Sequence, residues 1–288
     1  MADATATLLP PAAQRHLDEL PDYAALLTAR HEAHRATFRA MIADLPLAAG
    51  DAVLDVAIGD GFYTGLLSQR LDELGGGQVA GLDADADFLE LSRDVFVDAS
   101  KVELLLGDAA ALPMETDSLD LVWCAHSLRS LDDAPAVLKE WARVVRPGGH
   151  IGILENDRLH SVLLPWPPEV ELALYHAECA ASDGDCDRPL GGLHAGRRLH
   201  RLATFCGLEP VAKRTYAIDA APPGDADREL LKVHLADLLD RCGEHLSGDD
   251  RERVAPWVMP TGENYLPALP DLEATFIDHV AVLRVPAE

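Results

Sequence analysis

Basic side chains are scarce in this sequence, and the shortage excludes several kinds of partner. The chain has 24 lysines and arginines against 49 aspartates and glutamates, which gives a formal net charge of −25 at pH 7. A surface with this charge repels nucleic-acid phosphates and anionic membranes. We therefore expect no nucleic-acid partner and no membrane partner, and we assign the excess acids to a solvated surface.

Long hydrophobic runs are absent as well. No apolar segment approaches the roughly 20 residues that are needed to cross a bilayer. The opening residues, Met1 to Thr5, lack the basic and apolar regions of a signal peptide. These two absences predict a cytoplasmic protein.

Cysteine is rare, and its spacing argues against a disulfide framework or a zinc site. The five cysteines are odd in number, and no pair has Cys-x-x-Cys spacing. His176, Cys179 and Cys186 lie close together in the sequence, but no second cysteine pair completes four ligands. We expect reduced thiols and no bound metal.

Strand and helix patterns alternate through the first half of the chain. With 48% hydrophobic residues, 288 residues suffice for one large α/β core with embellishments. This alternation favours a doubly wound, mostly parallel sheet with helices on both faces. A mostly apolar segment near the end, 275–285, predicts one more strand. The predicted strands of the first half are 51–57, 78–83, 102–106, 121–125 and 151–155.

The stretch around which these elements are arranged is residues 51–64, DAVLDVAIGDGFYT. An apolar strand that turns through Gly59 and Gly61 into a helix is typical of a ligand cradle. The glycines let the backbone approach a ligand, and the free N–H groups of the helix face it. Two glycines alone also fit an ordinary strand-to-helix turn. Two further acids, Asp83 and Asp108, come at or just after the next two strands and strengthen the cradle interpretation.

Five segments, in order, resemble the motifs of the class I S-adenosylmethionine-dependent methyltransferases. Residues 51–64 resemble motif I, apolar-Leu-Asp-apolar-Gly-x-Gly-x-Gly, with Ala57 in place of the first glycine. Ala57 together with SLRSL at 127–131 is most similar to the quinone-biosynthesis C-methyltransferases. The remaining segments are GLD at 81–83, GDAAALP at 107–113, LDLVW at 119–123 and RVVRPGG at 143–149.

The resemblance implies a seven-stranded sheet with an antiparallel last strand, and S-adenosylmethionine as the cofactor. The cofactor would lie beyond the carboxyl ends of the strands, where the strand order reverses. Acids suit it because its sulfonium and ammonium groups are positively charged. The implied cofactor-binding residues are Asp55, Ala57, Gly59, Gly61, Asp83, Ala84, Asp108, Ala109, Cys124 and Ala125.

The resemblance also assigns roles to these residues. The loop 57–61 would face the methionine part of the cofactor, with Asp55 behind it. Asp83 would accept both ribose hydroxyls, because a carboxylate has two oxygens. The adenine would meet residues 108–109, and the backbone of residues 124–125 would take the methionine amino group.

Three regions follow from this interpretation. Residues 1–50 form an N-terminal tail and lid helix, 51–155 the Rossmann-like core, and 156–288 an acceptor cover plus the last strands. We expect 156–194, which is rich in proline and glycine, to be irregular or partly helical, and the helix from Ser247 to break at Pro256. The candidates for the acceptor pocket or lid are Tyr23, His31, Trp166 and Tyr175, with Arg30 and His34 also on the lid helix.

Two histidines are candidates for a general base. His126 follows the fourth strand, and an imidazole with a pKa near ~6.5 can accept a proton from a hydroxyl at neutral pH. The alternative is a structural histidine that bonds the neighbouring loop. His160 is the second candidate, in the acceptor cover.

The sequence thus predicts methyl transfer to a small or medium organic acceptor, with oxygen, nitrogen or carbon methylation left open. One alternative is a nicotinamide-dependent oxidoreductase, because Gly59-x-Gly61 and Asp83 partly match the dinucleotide fingerprint. Thr64 at the third glycine position and Asp60 in the turn argue against it. Another alternative is a catalytically silent member of the fold. The oligomeric state, a homodimer included, stays open.

Overall fold

The computed structural model describes residues 24–96, 102–182 and 194–287, except the side chains of 94–96 and 158–160. Its strands are β1 (Ala52–Val56), β2 (Gln78–Asp83), β3 (Val102–Leu106), β4 (Leu119–Ala125), β5 (Val145–Leu164), β6 (Glu209–Ala220) and β7 (Glu273–Arg284). Its helices are α1 (Ala24–Ala43), α2 (Phe62–Leu74), α3 (Ala86–Phe96), α4 (Ala134–Val144), α5 (Pro168–Ala181), α6 (Ala195–Phe205), α7 (Asp225–Cys242) and α8 (Gly248–Val258).

Within these ranges the strands form one seven-stranded sheet of order β3-β2-β1-β4-β5-β7-β6. Neighbouring strands are parallel from β3 to β5, and β7 runs antiparallel to both β5 and β6. The predicted doubly wound sheet with an antiparallel last strand is therefore confirmed. The strand order reverses between β1 and β4, which places a ligand-binding crevice at their carboxyl ends.

Two hydrophobic layers cover the two faces of the sheet. Alternate residues of β4 show the division, because Leu121 and Trp123 join the layer of α1, α2, α5, α7 and α8. Val122 and Cys124 face the opposite layer, which includes α4 and α6. The alternation follows from the two-residue period of a strand. Among the described helices, none combines the length and apolarity that crossing a bilayer requires.

The region expected to be irregular is more regular than the sequence indicates. Strand β5 continues to Leu164 instead of ending near Glu155, because its extension pairs with β7 from Ser161↔Phe276 to Leu164↔Glu273. Pro168 then begins α5, where its missing N–H costs no helical hydrogen bond. Helix α8 also continues past Pro256 and ends two residues later, at Val258, so the expected break at the proline is wrong.

One buried acid lies at the centre of the sheet. Asp55 in β1 is 1% exposed and accepts a hydrogen bond of 2.7 Å from Thr64 Oγ1 of α2. Burial raises the pKa of Asp55 from 3.8 to about 7; the Thr64 bond partly offsets this shift, and nearby Asp83 and Asp60 add to it. Between about pH 4 and 7 the folded chain therefore holds a proton on Asp55 that the unfolded chain has already released. Stability falls as the pH rises through this window.

Replacing Asp55 with asparagine should remove this dependence on pH, because the amide keeps an oxygen for Thr64 but does not titrate. The unfolding free energy of Asp55→Asn minus that of the wild type should rise by about 1.4 kcal/mol per pH unit between pH 5 and 6, and by less as the pH approaches 7. Urea denaturation at pH 5, 6 and 7 measures it. The exposed control Glu90→Gln should follow the wild type at each pH. Parallel curves for Asp55→Asn and the wild type would contradict the raised pKa.

Candidate functional site

A cavity of about 900 Å³ lies at the carboxyl ends of the central strands. It extends from the glycine loop after β1, beneath helix α1, to the inner surfaces of α5 and α7. Most of the predicted site residues therefore share one cavity. Those in its lining are His31, Ala57, Gly59, Asp83, Ala84, Asp108, Ala109, Ala125, His126, Trp166 and Tyr175.

Three predicted residues lie next to the cavity and outside its lining. Asp55 is buried in β1, two residues before Ala57 of the loop. Gly61 is the N-cap residue of α2 and has a φ of 78°. Cys124 is fully buried in the opposite hydrophobic layer. Burial raises the pKa of the Cys124 thiol well above its ordinary value. Tyr23 and the side chain of His160 lie outside the described residues.

The metal hypothesis has no support in the described part of the chain. Among those residues, no group of three or more histidine, cysteine, aspartate or glutamate side chains could hold a metal ion. Cys186 of the sequence hypothesis lies outside them. None of the four cysteines in the described ranges is in a disulfide.

The loop after β1 has a backbone that demands small residues. Ala57, Gly59 and Gly61 all have positive φ, with values of 59°, 53° and 78°. A Cβ atom on Gly59 would come within 2.9 Å of Leu27 Cδ2 on α1, so the helix covers the loop closely. The loop is also tied to β2, because Gly59 N–H donates to Asp83 Oδ2 at 3.0 Å.

Asp83 is the last residue of β2, and each of its carboxylate oxygens accepts one hydrogen bond. Its Oδ1 accepts from the Asp85 N–H and its Oδ2 from the Gly59 N–H, each at 3.0 Å. A carboxylate offers about four lone-pair positions, so each oxygen can accept a second donor. Burial raises the pKa of Asp83, and the hydrogen bonds from backbone N–H groups oppose that shift.

The segment after β3 is also fixed by hydrogen bonds. Asp108 Oδ1 accepts from the Ala110 N–H at 2.8 Å, and Trp141 Nε1–H donates to the Ala109 carbonyl at 3.0 Å. Asp108 and Ala109 both line the cavity. These contacts hold the two predicted adenine-contacting residues in place.

Helix α1 is attached to the rest of the site at two points. His31 Nδ1 lies 2.9 Å from Asp60 Oδ2 in the glycine loop, and the His31 ring stacks on Phe62 with 4.1 Å between centroids. One residue earlier, Arg30 Nη2 donates to Asp278 Oδ1 of β7 at 2.5 Å. The predicted lid helix therefore contacts both the loop and the far strand.

Two further histidines line the cavity, and both have lowered pKa values. Burial, reinforced by Arg30 and His31, lowers the pKa of His34 from 6.5 to about 3. Burial, followed by Arg30 and Arg129, holds the pKa of His126 well below its usual range. Both ring nitrogens of each are without hydrogen-bond partners among the described residues. Such an imidazole binds a proton weakly, so the base role of His126 stays a prediction that this environment weakens.

The half of the cavity away from the loop is largely apolar. Leu163 of β5, Leu174 of α5, Leu230 and Leu238 of α7, and Phe276 of β7 contribute to its wall. The sequence prediction included α7 in the acceptor cover but named none of its residues as site candidates. The spacing of His234, Asp237, Leu238 and Arg241 places them on one helical face, and this is the signal that could have found them.

One charged cluster in this half is formed by Arg241, Asp237 and Glu178, of which Glu178 is buried. Arg241 Nε donates to Asp237 Oδ2 at 2.9 Å, and its Nη1 also contacts Glu178 Oε1 of α5. His234 stays neutral near pH 7, because burial lowers its pKa to about 4. The Trp166 Nε1–H of this half has no hydrogen-bond partner among the described residues.

Comparisons with known proteins agree with this geometry. Residues 54–153 match the methyltransferase domain family. Demethylmenaquinone methyltransferase of Staphylococcus aureus is 33% identical over 127 residues, which cover 44% of this chain and 52% of that protein. The chain thus spans about half the length of the curated relatives that it matches.

Solved structures show the same fold over nearly the whole chain. A chain from the complex of the Haloferax volcanii Trm112 methyltransferase activator with a methyltransferase has a TM-score of 0.56 and 19% identity, covering 96% of this chain and 98% of that one. The [4+2]-cyclase SpnF has a TM-score of 0.54 and 16% identity, with coverages of 97% and 98%.

The matched family is a methyltransferase domain, so the nicotinamide-dependent alternative has no support. The motif order, the sheet order and the family match lead to the same assignment. Residues 54–153 are thus similar to a methyltransferase domain, in agreement with the resemblance of the motifs to the class I S-adenosylmethionine-dependent methyltransferases.

Proposed function

We propose that this chain transfers a methyl group from S-adenosylmethionine to an uncharged or cationic organic acceptor. One observation carries the proposal: a single cavity joins the glycine loop and Asp83 to an apolar compartment beneath α1, α5 and α7. Two reacting molecules bound in these two halves would meet near His126. Holding them together and excluding water supplies most of the catalysis in such a site.

The residues of the loop half fit the cofactor. A side chain on Gly59 would collide with Leu27, so the space above the loop suits a ligand that lies against the backbone. The free lone pairs of Asp83 suit the ribose hydroxyls, and residues 108–109 suit the adenine. The backbone of Ala125 suits the methionine amino group, and Asp55 supports the loop from below. When bound, the cofactor supplies an electrophilic methyl group on a positively charged sulfur.

The remaining regions would bind the acceptor. We assign residues 1–50 to a tail and lid, 51–155 to the cofactor core, and 156–288 to the acceptor cover plus the last strands. Trp166 and Tyr175 would contact the acceptor, since both line the apolar half. The cytoplasmic location remains a prediction from the absence of long apolar runs and of a signal-peptide pattern.

The charges of the cavity favour an acceptor without a carboxylate or phosphate. In the described lining, Arg30 pairs with Asp278 and Arg241 with Asp237. The third arginine, Arg129, donates from Nη1 to Asn156 Oδ1 at 3.1 Å, and its Nε lies 3.9 Å from Glu155 Oε2. An anionic acceptor would therefore meet no unpaired cation among the described lining residues. It would also face the lining acids, which are Asp83, Asp85, Asp108, Asp157, Glu171, Glu178 and Asp237.

A panel of acceptors matched in size tests the proposal. Phenols, arylamines, alkylamines and quinols are incubated with cofactor labelled in its methyl group, each beside its carboxylated or phosphorylated analogue. We expect transfer to neutral or cationic members and at least tenfold less transfer to the anionic partner of each pair. Preferred methylation of the anionic analogues would overturn the proposed acceptor class.

The competing proposal is a member of the fold that does not transfer methyl groups. It has a specific basis, because one structure of the same fold is described as a [4+2]-cyclase, and a fold does not determine its function. Calorimetry with S-adenosylmethionine and S-adenosylhomocysteine separates the two. Binding without turnover of any acceptor would favour the competing proposal.

Asp83→Ala should weaken cofactor binding at least tenfold. The change removes charge-assisted hydrogen bonds of about 1.5–3 kcal/mol at the ribose. Isothermal titration with S-adenosylhomocysteine measures the loss, and circular dichroism checks that the fold persists. Asp87→Ala is the matched control, because Asp87 lies on α3 outside the cavity lining. Unchanged affinity in Asp83→Ala would remove this residue from the cofactor site.

Gly59→Val should abolish cofactor binding. A branched side chain at a φ of 53° strains the backbone, collides with Leu27 and fills the space above the loop. Titration with S-adenosylhomocysteine should show no heat above the blank. Gly248→Val serves as the control, because a Cβ there has no heavy atom within 4 Å in the described structure. Normal turnover by Gly59→Val would refute the cradle.

A further inference from the structure

A carboxylate in the glycine loop holds the ring of His31. Asp60 Oδ1 accepts the Phe62 N–H at 3.1 Å at the start of α2, and Asp60 Oδ2 lies 2.9 Å from His31 Nδ1. Asp60 is 7% exposed and His31 3% exposed, so water has little access to the pair. Because the backbone bond fixes one oxygen of the carboxylate, the other is directed at a single ring nitrogen.

The His31 ring is also fixed by aromatic packing. It lies parallel to Phe62, with 10° between the rings, and edge-on to Tyr63 at 5.2 Å. Its second nitrogen, Nε2, is buried without a hydrogen-bond partner among the described residues. A buried polar atom left unpaired costs about 1–3 kcal/mol, so a ligand in the cavity that pairs with Nε2 would recover that energy.

His31 differs in this respect from the two other histidines beneath the lid. No carboxylate contacts the ring of His34 or His126 in the described structure, and the cations around those rings oppose protonation. A carboxylate on Nδ1–H stabilises the imidazolium that forms when Nε2 takes a proton. Of the three rings, only that of His31 has this arrangement.

We propose that His31 Nε2 accepts the proton that the acceptor loses during methyl transfer, and that Asp60 is its positioning residue. The proposal rests on the proposed function and deepens it, because it requires an acceptor with a dissociable O–H or N–H group. As the bond from the acceptor oxygen or nitrogen to the methyl carbon forms, the bond from carbon to sulfur breaks with its electron pair left on sulfur. The acceptor proton moves to Nε2, and the positive charge passes from the sulfonium to the His31–Asp60 pair.

The alternative is that His31 only fastens α1 to the glycine loop. That role requires only the bond from Nδ1 to Asp60. His31→Asn separates the two roles, because its amide nitrogen occupies about the position of Nδ1 and can still donate to Asp60. The variant has no atom in the place of Nε2. In His31→Gln, the companion variant, the side-chain amide instead occupies about the position of Nε2, and no atom takes the place of Nδ1.

Proton–nitrogen NMR of histidine-labelled protein at pH 7 reads the protonation of the ring without an acceptor or cofactor. We expect a proton on Nδ1 and none on Nε2 of His31, assigned by comparison with His31→Asn. In Asp60→Asn the amide can donate to Nδ1 while its oxygen keeps the Phe62 bond, so the ring proton should move to Nε2. This exchange tests the bond from Nδ1 to Asp60, and the kinetics of the same variants test the role of Nε2. A wild-type ring protonated at Nε2 would overturn the proposal.

Kinetics with the panel acceptor that turns over fastest provide the second measurement. His31→Asn and Asp60→Asn should each lower kcat by ~10²–10⁴-fold, with the Kd for S-adenosylhomocysteine within about threefold of the wild type. Wild-type kcat in His31→Asn would overturn the proposal, and so would a loss confined to KM. Failure of the wild type to bind the cofactor at all would instead refute the proposed function.

Discussion

The reversal of strand order between β1 and β4 is the constraint on which the rest of the structure depends. Helices that follow strands on either side of this point leave in opposite directions, and the loops between them part to form a crevice. The glycine loop, Asp83, residues 108–109 and His126 all lie at this crevice because each follows a strand of the parallel part. The apolar half of the cavity is added by elements outside that part.

Burial determines the electrostatics of the crevice more than formal charge does. The chain is strongly acidic, yet Asp55 and Asp83 both have raised pKa values because they lie out of water. The same burial keeps His34 and His126 neutral. The arginines of the described lining also have polar or acidic partners, as Arg30 has in the buried Asp278. These charges are the basis for the proposed preference for an acceptor without an anionic group.

The sequence predicted the parallel core well and the surrounding elements less well, for physical reasons. Strand β2 and strand β3 have the predicted limits because a buried parallel strand is a short apolar run between turn residues. The extension of β5 beyond Glu155 depends on pairing with β7, more than a hundred residues later in the chain, and no local pattern records it. The pairing of His31 with Asp60 depends likewise on how α1 lies on the loop. The lowered pKa of His126 arises from burial, which spacing does not reveal.

Helix α1 is attached to two separate parts of the site, and this bears on how the cavity could open. Leu27 and His31 cover the glycine loop, while Arg30 on the same helix is bonded to Asp278 of β7 beside the acceptor compartment. A movement of α1 large enough to uncover the loop must therefore break contacts with two separate parts of the sheet. Under the proposed function, access of the cofactor to the loop and access of the acceptor to its compartment would therefore be coupled through one helix.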